Sequence, residues 1–407
     1  MDHVGPWPKD DVLRRGRSTA RLFMRGASVA LGFSLLACTA PPRTAFTSQD
    51  QAAAFVPGFP DVRFFADAPA AEIAALQHRF IPQSTAPGAE MVVLALSSGG
   101  EGGAFGAGLL TGWTKRGDRP AFDLVTGVSA GALIAPFAFA GVEYDDDLAQ
   151  LFDDGAASRL NRGRSLIRGL LGQSVLDGKA LRSLIDSYLT DDLVAQIAAR
   201  HRTGARLLVV TTNLDAGRSV VWDIGAIAVS NRAGARGLIG DILQASASIP
   251  AIFPSVMMSV TDGVRDFAEL HADGGAGRQV FFFPDAVMTS DGFARLLPAG
   301  TRIYTIMNRK MAPEFQVTTA RSFPIAERGL SVLETADAAA IVSLTANLAT
   351  DSGLVFRMAA IDITVPTANN LPFDPAYMRA VFSRGQAVGK LGDWMREHRL
   401  GGTYHND

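Results

Sequence analysis

A single cysteine, Cys38, occurs among the 407 residues, which excludes an internal disulfide framework and any zinc site built on thiolates. Charge of one sign is also lacking. Lys and Arg number 38 against 40 Asp and Glu, a net charge of -2, so no basic footprint exists to hold a phosphate backbone and nucleic acid is not an expected partner. Histidine is scarce, with six in the chain: His3, His78, His201, His271, His398 and His405. What is abundant is apolar: 48% hydrophobic against 19% charged residues, the composition of a folded globular protein with ample core.

The cysteine lies in an informative context. Arg14, Arg15, Arg17, Arg21 and Arg25 precede the apolar stretch Ala27 to Leu36, which is followed by Ala37 and Cys38. A positive flank, a short apolar segment and a small residue at the cut describe a secretory signal, too short to span a bilayer. Leu35-Leu36-Ala37-Cys38 also resembles the bacterial lipobox, in which the cysteine becomes the lipidated first residue. The expected division is a signal peptide over 1–37, a lipidated tether over 38–60, one catalytic domain over 61–400 and a tail over 401–407. That resemblance implies a lipid-anchored protein of the cell envelope, on the periplasmic side, and at the outer membrane in a Gram-negative cell. A bystander cysteine after an ordinary cleaved signal is the alternative.

Beyond residue 60 strand and helix patterns alternate. Met91 to Leu96 is a continuous apolar run suited to a central parallel strand, followed by a glycine-rich turn and an apolar helix from Gly103 to Trp113. Phe122 to Thr126 and Ala130 to Ala140 repeat the pair. Further strands are expected at Leu207–Thr211, Ser219–Trp222, Phe267–Ala272, Arg302–Ile306 and Met358–Val365, with helices near 178–200, 235–247, 323–349 and 374–397. This alternation predicts an α/β fold, a three-layer α/β/α sandwich with a largely parallel central sheet, whose sites gather at the carboxyl ends of strands. The charge-free stretches Leu124–Val142 and Ile242–Thr261 are broken by Gly, Ser and Pro and read as buried core, not membrane spans.

Three turns at such strand ends carry chemistry. Gly127-Val128-Ser129-Ala130-Gly131 joins a strand to a helix, where flanking glycines permit a sharp turn that presents the serine hydroxyl at a helix N-terminus. Ser97-Ser98-Gly99-Gly100-Glu101-Gly102-Gly103 offers consecutive backbone amides, suited to an oxyanion; it has neither a P-loop lysine nor the G-x-G-x-x-G spacing. His271-Ala272-Asp273-Gly274-Gly275 ends a third strand and can project the Asp273 carboxylate at the same edge. A carboxylate acting as base must be helped by burial. A packing turn at Ser129 and a turn-forming role for Asp273 are the structural alternatives.

These three turns, in this order, resemble the patatin-like phospholipase family, lipid acyl hydrolases with a Ser-Asp dyad. The resemblance implies Ser129 as nucleophile, Asp273 as base, the amides around Gly99, Gly100 and Glu101 as oxyanion donors, and a lipid or membrane-interface substrate, with no metal and no cofactor. One departure concerns the family's Gly-Gly-Gly-x-Arg/Lys-Gly pattern: Ser98 stands for its first glycine and Gly102 for its basic residue. Two rivals remain. An α/β-hydrolase esterase would need His398 or His405 as its imidazole, and a lipoprotein scaffold would need no chemistry at all. Softer features are the turn Thr212–Asp215, the basic amphipathic stretch Arg159–Leu171, read mainly as a solvated face, and Phe281–Phe283, read mainly as core.

Overall fold

Charge-free runs become the central strands because a strand covered on both faces must be apolar at every position. The computed structural model describes residues 43–82, 90–152, 160, 176–289, 291, 293, 296–362, 364–365, 373–392 and 394. The strands are β1 (Arg63–Phe65), β2 (Val92–Leu96), β3 (Leu124–Val128), β4 (Arg206–Asn213), β5 (Arg218–Asp223), β6 (Val256–Thr261), β7 (Asp266–Asp273), β8 (Arg302–Met307) and β9 (Val355–Ala360). Their order across the sheet is β1-β5-β4-β3-β2-β8-β9, with β7 pairing both β4 and β6. The central strands β4, β3, β2, β8 and β9 run parallel. Around β4 and β5, strands β1, β5, β6 and β7 add antiparallel pairs, so the sheet is mixed around the expected parallel centre.

Side-chain alternation along β2 sorts two cores. Val92, Leu94 and Leu96 join one cluster and Val93 and Ala95 the other. On the first face pack helices α1 (Gly103–Arg116), α2 (Ala130–Ala140), α3 (Asp145–Phe152), α4 (Gly178–Tyr188), α5 (Asp191–Arg202), α6 (Ala235–Ser246) and α8 (Pro375–Leu391). The second face is covered by α7 (Ser322–Asp351) together with Phe281, Phe282 and Phe283, which are core residues as expected. Among the described residues α7 is the one helix long and apolar enough to cross a membrane; its Ala338, Val342, Ala346 and Ala349 pack into the second core. The runs Leu124–Val142 and Ile242–Thr261 resolve into β3 with α2 and into the end of α6 with β6.

Several boundaries differ from expectation. The helix expected over 178–200 is two helices, because Thr190 caps a new start by accepting from the Leu193 amide at 3.1 Å. The last strand lies at Val355–Ala360, earlier than the expected Met358–Val365, since its pairing begins at Arg302↔Val355. Residues 43–60, part of the expected tether, are docked on the body. Arg43 forks onto Asp215, Phe46 stacks on Phe267 at 4.6 Å, and Ser48–Ala52 is a helix closed by a Thr47–Asp50 capping box. The signal segment, Cys38, His398, His405, the tail and nearly all of the Arg159–Leu171 stretch lie outside the described residues.

Candidate active site

One lane of the sheet brings the serine and the acid together. Strand β3 pairs in parallel with β4 up to Val128↔Val210, and Ser129 is its next residue. Beyond that point β7 enters from the opposite direction on the same side of β4, pairing Thr211↔Asp273. The two chains therefore meet head-on, and Ser129 Oγ donates to Asp273 Oδ2 at 2.5 Å.

Ser129 sits at φ 56° and ψ -120°, a left-handed conformation that costs a non-glycine residue about 1–3 kcal/mol. The surroundings hold it there. Its amide donates to Ser246 Oγ at 3.0 Å, and that hydroxyl donates to the Val210 carbonyl at 2.7 Å. Gly131 has to be glycine, because a Cβ there would lie 2.4 Å from the Leu96 carbonyl oxygen. The close approach lays the first turn of α2 against the end of β2, so the serine turn and the glycine-rich turn become neighbours. Gly127, on β3, meets the same helix: its Cβ would come within 2.6 Å of the Gly131 carbonyl.

Asp273 is 4% exposed and Ser129 3%. Burial pushes the Asp273 carboxyl up to about 7, against the lowering effect of the Ser129 hydroxyl and the Gly275 amide; the charge of Glu334 raises it further. Oδ1 accepts from Gly275 N at 2.6 Å, so Gly274 and Gly275 turn the chain back onto the carboxylate they follow. The Asp273 main chain is pinned as well: its amide donates to Ser248 O at 2.9 Å, and its carbonyl accepts from Thr212 Oγ1 at 2.9 Å. Thr212 therefore adjoins the site, whereas Asn213 is a turn former whose Oδ1 accepts from the amides of Asp215 and Ala216.

His271 is two residues from Asp273 but is engaged elsewhere. Nδ1 lies 2.9 Å from Thr211 Oγ1 and Nε2 lies 3.1 Å from Glu269 Oε2. Trp222 Nε1 donates to the same threonine oxygen, and Arg63 forks onto both Glu269 oxygens. Burial lowers the imidazole below its ordinary value. Among the described residues no histidine stands between Ser129 and Asp273.

Gly100 and Glu101 open a short 3-10 turn, and the first amides of such a turn have no carbonyl behind them to accept their protons. Gly99 and Gly102 are pressed on the chain at Asn308: a Cβ would lie 2.0 Å and 2.2 Å from its carbonyl oxygen. No side chain fits at Gly102, which accounts for the absent basic residue. The Glu101 side chain turns away and accepts from the Asp374 amide at 3.3 Å, tying the turn to the start of α8; burial raises its carboxyl.

Sequence reasoning did not single out Gln279 or Arg309. Gln279 Oε1 accepts from Ser98 Oγ and from Arg309 Nη1 (2.5 Å), while its Nε2 donates to Gly275 O at 2.7 Å. Its main-chain carbonyl accepts from Ser98 N at 2.8 Å. The residue thus clamps the glycine-rich turn to the Asp-Gly-Gly turn. Its only signal in the sequence is a lone amide at the edge of the apolar run Val280–Phe283.

A cleft opens at Gly100 and Ser129 and is otherwise apolar, walled by Leu133, Leu151, Phe152, Leu184, Ile249 and Phe373 among others. Among the described residues no group of three or more His, Cys, Asp or Glu is arranged to hold a metal ion. A buried hydroxyl touching an isolated carboxylate, beside free amides and an apolar cleft, is equipped for acyl transfer from an ester with a long apolar acid.

Residues 94–284 match the family model of the patatin-like phospholipases. Among solved structures, VipD from Legionella pneumophila aligns with 13% identity over 77% of this chain and 70% of its own, with a TM-score of 0.32. No curated protein matches the chain.

Proposed function

We propose that this chain, whose residues 94–284 match the patatin-like phospholipase family model, is a lipid acyl hydrolase working through a Ser129–Asp273 dyad and an acyl-enzyme, of the phospholipase A or lysophospholipase type. The observation that carries this reading is the direct 2.5 Å hydrogen bond from the Ser129 hydroxyl to the Asp273 carboxylate. Ionised Asp273 takes the proton as Ser129 Oγ attacks the ester carbonyl. The amides of Gly99, Gly100 and Glu101 receive the oxyanion, and the dipole at the start of α2 favours the same charge. Asp273 returns the proton to the departing alcohol. It then deprotonates water, which attacks the acyl-Ser129 ester; the Oγ–acyl bond breaks, Asp273 returns the proton to Ser129 Oγ, and the fatty acid leaves. The acyl chain lies in the apolar cleft beside Ser129.

Turnover of a chromogenic butyrate ester tests the assignment. Ser129→Ala and Asp273→Asn should each lower kcat by about 10³-fold or more, and a fluorophosphonate should label wild type but not Ser129→Ala. Wild-type turnover in either variant overturns the dyad. Replacing His398 and His405 together with Ala should leave activity in place; its loss would favour the triad esterase. We also propose attachment to the cell envelope through a lipidated Cys38, supported by the arginine-flanked apolar stretch before it. Fatty-acid labelling that persists in Cys38→Ser would sink that attachment.

A further inference from the structure

Through β4 the sheet registers Ser129 against Asp273, but the glycine-rich turn lies outside that register. Strand β2 pairs with β3 and β8, whereas β7 pairs with β4 and β6, so the amides that follow β2 and the carboxylate that ends β7 share no ladder. The two turns nevertheless abut: a Cβ on Gly275 would lie 3.2 Å from the Ser98 Cβ and 3.2 Å from Gln279 Nε2. We propose that Gln279 is a positioning residue for acyl transfer, whose carboxamide sets the distance between the oxyanion amides and the Ser129–Asp273 pair. This rests on the reading of Ser129 as nucleophile and of the glycine-rich turn as oxyanion hole.

The bonds of Gln279 show how. The residue is 2% exposed, so its polar groups need partners within the protein. Oε1 accepts from Ser98 Oγ and, at 2.5 Å, from Arg309 Nη1. Two donors on one oxygen fix the amide's orientation, because a flipped carboxamide would point its own N–H groups at the guanidinium. Nε2 is thereby aimed at the Gly275 carbonyl, to which it donates at 2.7 Å. The Gly275 amide in turn donates to Asp273 Oδ1 at 2.6 Å, so this arm ends on the base. On the other side the Gln279 carbonyl accepts from Ser98 N at 2.8 Å, one residue before Gly99. Two acids of α7 brace the arrangement: Asp337 Oδ2 accepts from Gln279 N at 3.0 Å, and Glu334 holds Arg309 at 3.3 Å. Donors serve an oxyanion only at about 2.7–3.1 Å, and a misplacement of about 1 Å can cost about 10²-fold in rate.

The experiment measures kcat and KM for the chromogenic butyrate ester in the full-length protein. Turnover is counted per site titrated to completion by a fluorophosphonate, and read on the alkaline plateau of the pH profile. A merely structural role would reduce the number of titrated sites and leave kcat per site intact. Gln279→Met, which keeps the length and removes both polar arms, should lower kcat per site about 10- to 100-fold with KM kept within about threefold. Gln279→Glu keeps the acceptors for Ser98 and Arg309 but offers the Gly275 carbonyl no proton, and should lower kcat per site about tenfold. Ser98→Ala, which cuts one arm, should lower it about threefold. Wild-type kcat per site in a folded Gln279→Met or Gln279→Glu overturns the proposal, as does a loss expressed in KM alone. If neither folds, Ser98→Ala decides, and a wild-type kcat per site there overturns it. A wild type that takes no label, or labelling that survives Ser129→Ala, fails the acyl-hydrolase reading itself and is recognised as such.

Discussion

Glu269 and Asp273 stand four residues apart on β7, both buried, yet their carboxyls shift in opposite directions. Burial works against the charge of each. For Glu269 the hydrogen bond with His271 and the fork of Arg63 outweigh it and hold the carboxyl down at about 2. Asp273 receives a hydroxyl and one amide, no cation, and the negative Glu334 within electrostatic reach, and it rises to about 7. The lesson is that a buried carboxylate serves as a base near neutrality only where the fold withholds a counter-charge. Arg309, which reaches the turns through Gln279, is occupied by that amide and by Glu334 at 3.3 Å.

The contrast can be broken most severely at Asp273. Asp273→Asn removes the proposed base, and kcat should fall about 10³-fold or more while the fold survives, as judged by ester turnover beside circular dichroism. Next in size is Arg63→Met, which strands the Glu269 charge in the interior. Urea denaturation should give a loss of about 3–5 kcal/mol, partly recovered when Glu269→Gln is added. No recovery in the double variant would mean that Arg63 acts through packing on Trp222, over which its guanidinium lies at 5.4 Å.

A smaller effect concerns stability and pH. The folded value of Asp273, about 7, lies above the ordinary 3.8, so the folded chain keeps a proton there that the unfolded chain releases. Its stabilisation is full below pH 4 and is lost as pH rises through 7. Asp273→Asn should therefore gain about 2–4 kcal/mol relative to wild type on going from pH 4 to pH 8, read from denaturation midpoints at both. Smallest is Glu334→Gln. With Asp273 as the proposed base, its ionised form is the active one, so kcat/KM should rise with pH through about 7 in wild type. Removing the neighbouring negative charge should move that limb to lower pH by a few tenths of a unit. A limb that moves upward would contradict the repulsion between the two acids.

Much of this was legible in the residues. The parallel centre announced itself through charge-free runs, and the Ser129 turn through Gly127 and Gly131, whose absent side chains are demanded by contacts at 2.6 Å and 2.4 Å. Other parts were not. Strand β6, Val256–Thr261, lies within the charge-free run Ile242–Thr261, where the sequence marks buried core without marking where a strand begins; its exposed Met257 shows an edge that only the fold defines. The docking of residues 43–60 depends on an arginine fork across 172 positions of chain, which local pattern does not encode. Gln279 was invisible for the same reason: its partners Ser98, Arg309 and Asp337 lie on distant segments of the chain.

By itself the sequence determined which residues could do chemistry, because a glycine-flanked serine, a run of free amides and an acid before two glycines are local demands of backbone geometry. Only the tertiary structure decided that β7 takes over the lane β3 leaves, that His271 is spent on Glu269 and Thr211, and that among the described residues no cation pairs with Asp273. Those are matters of long-range register and of dielectric surroundings, and both exist only once distant segments of the chain have packed together.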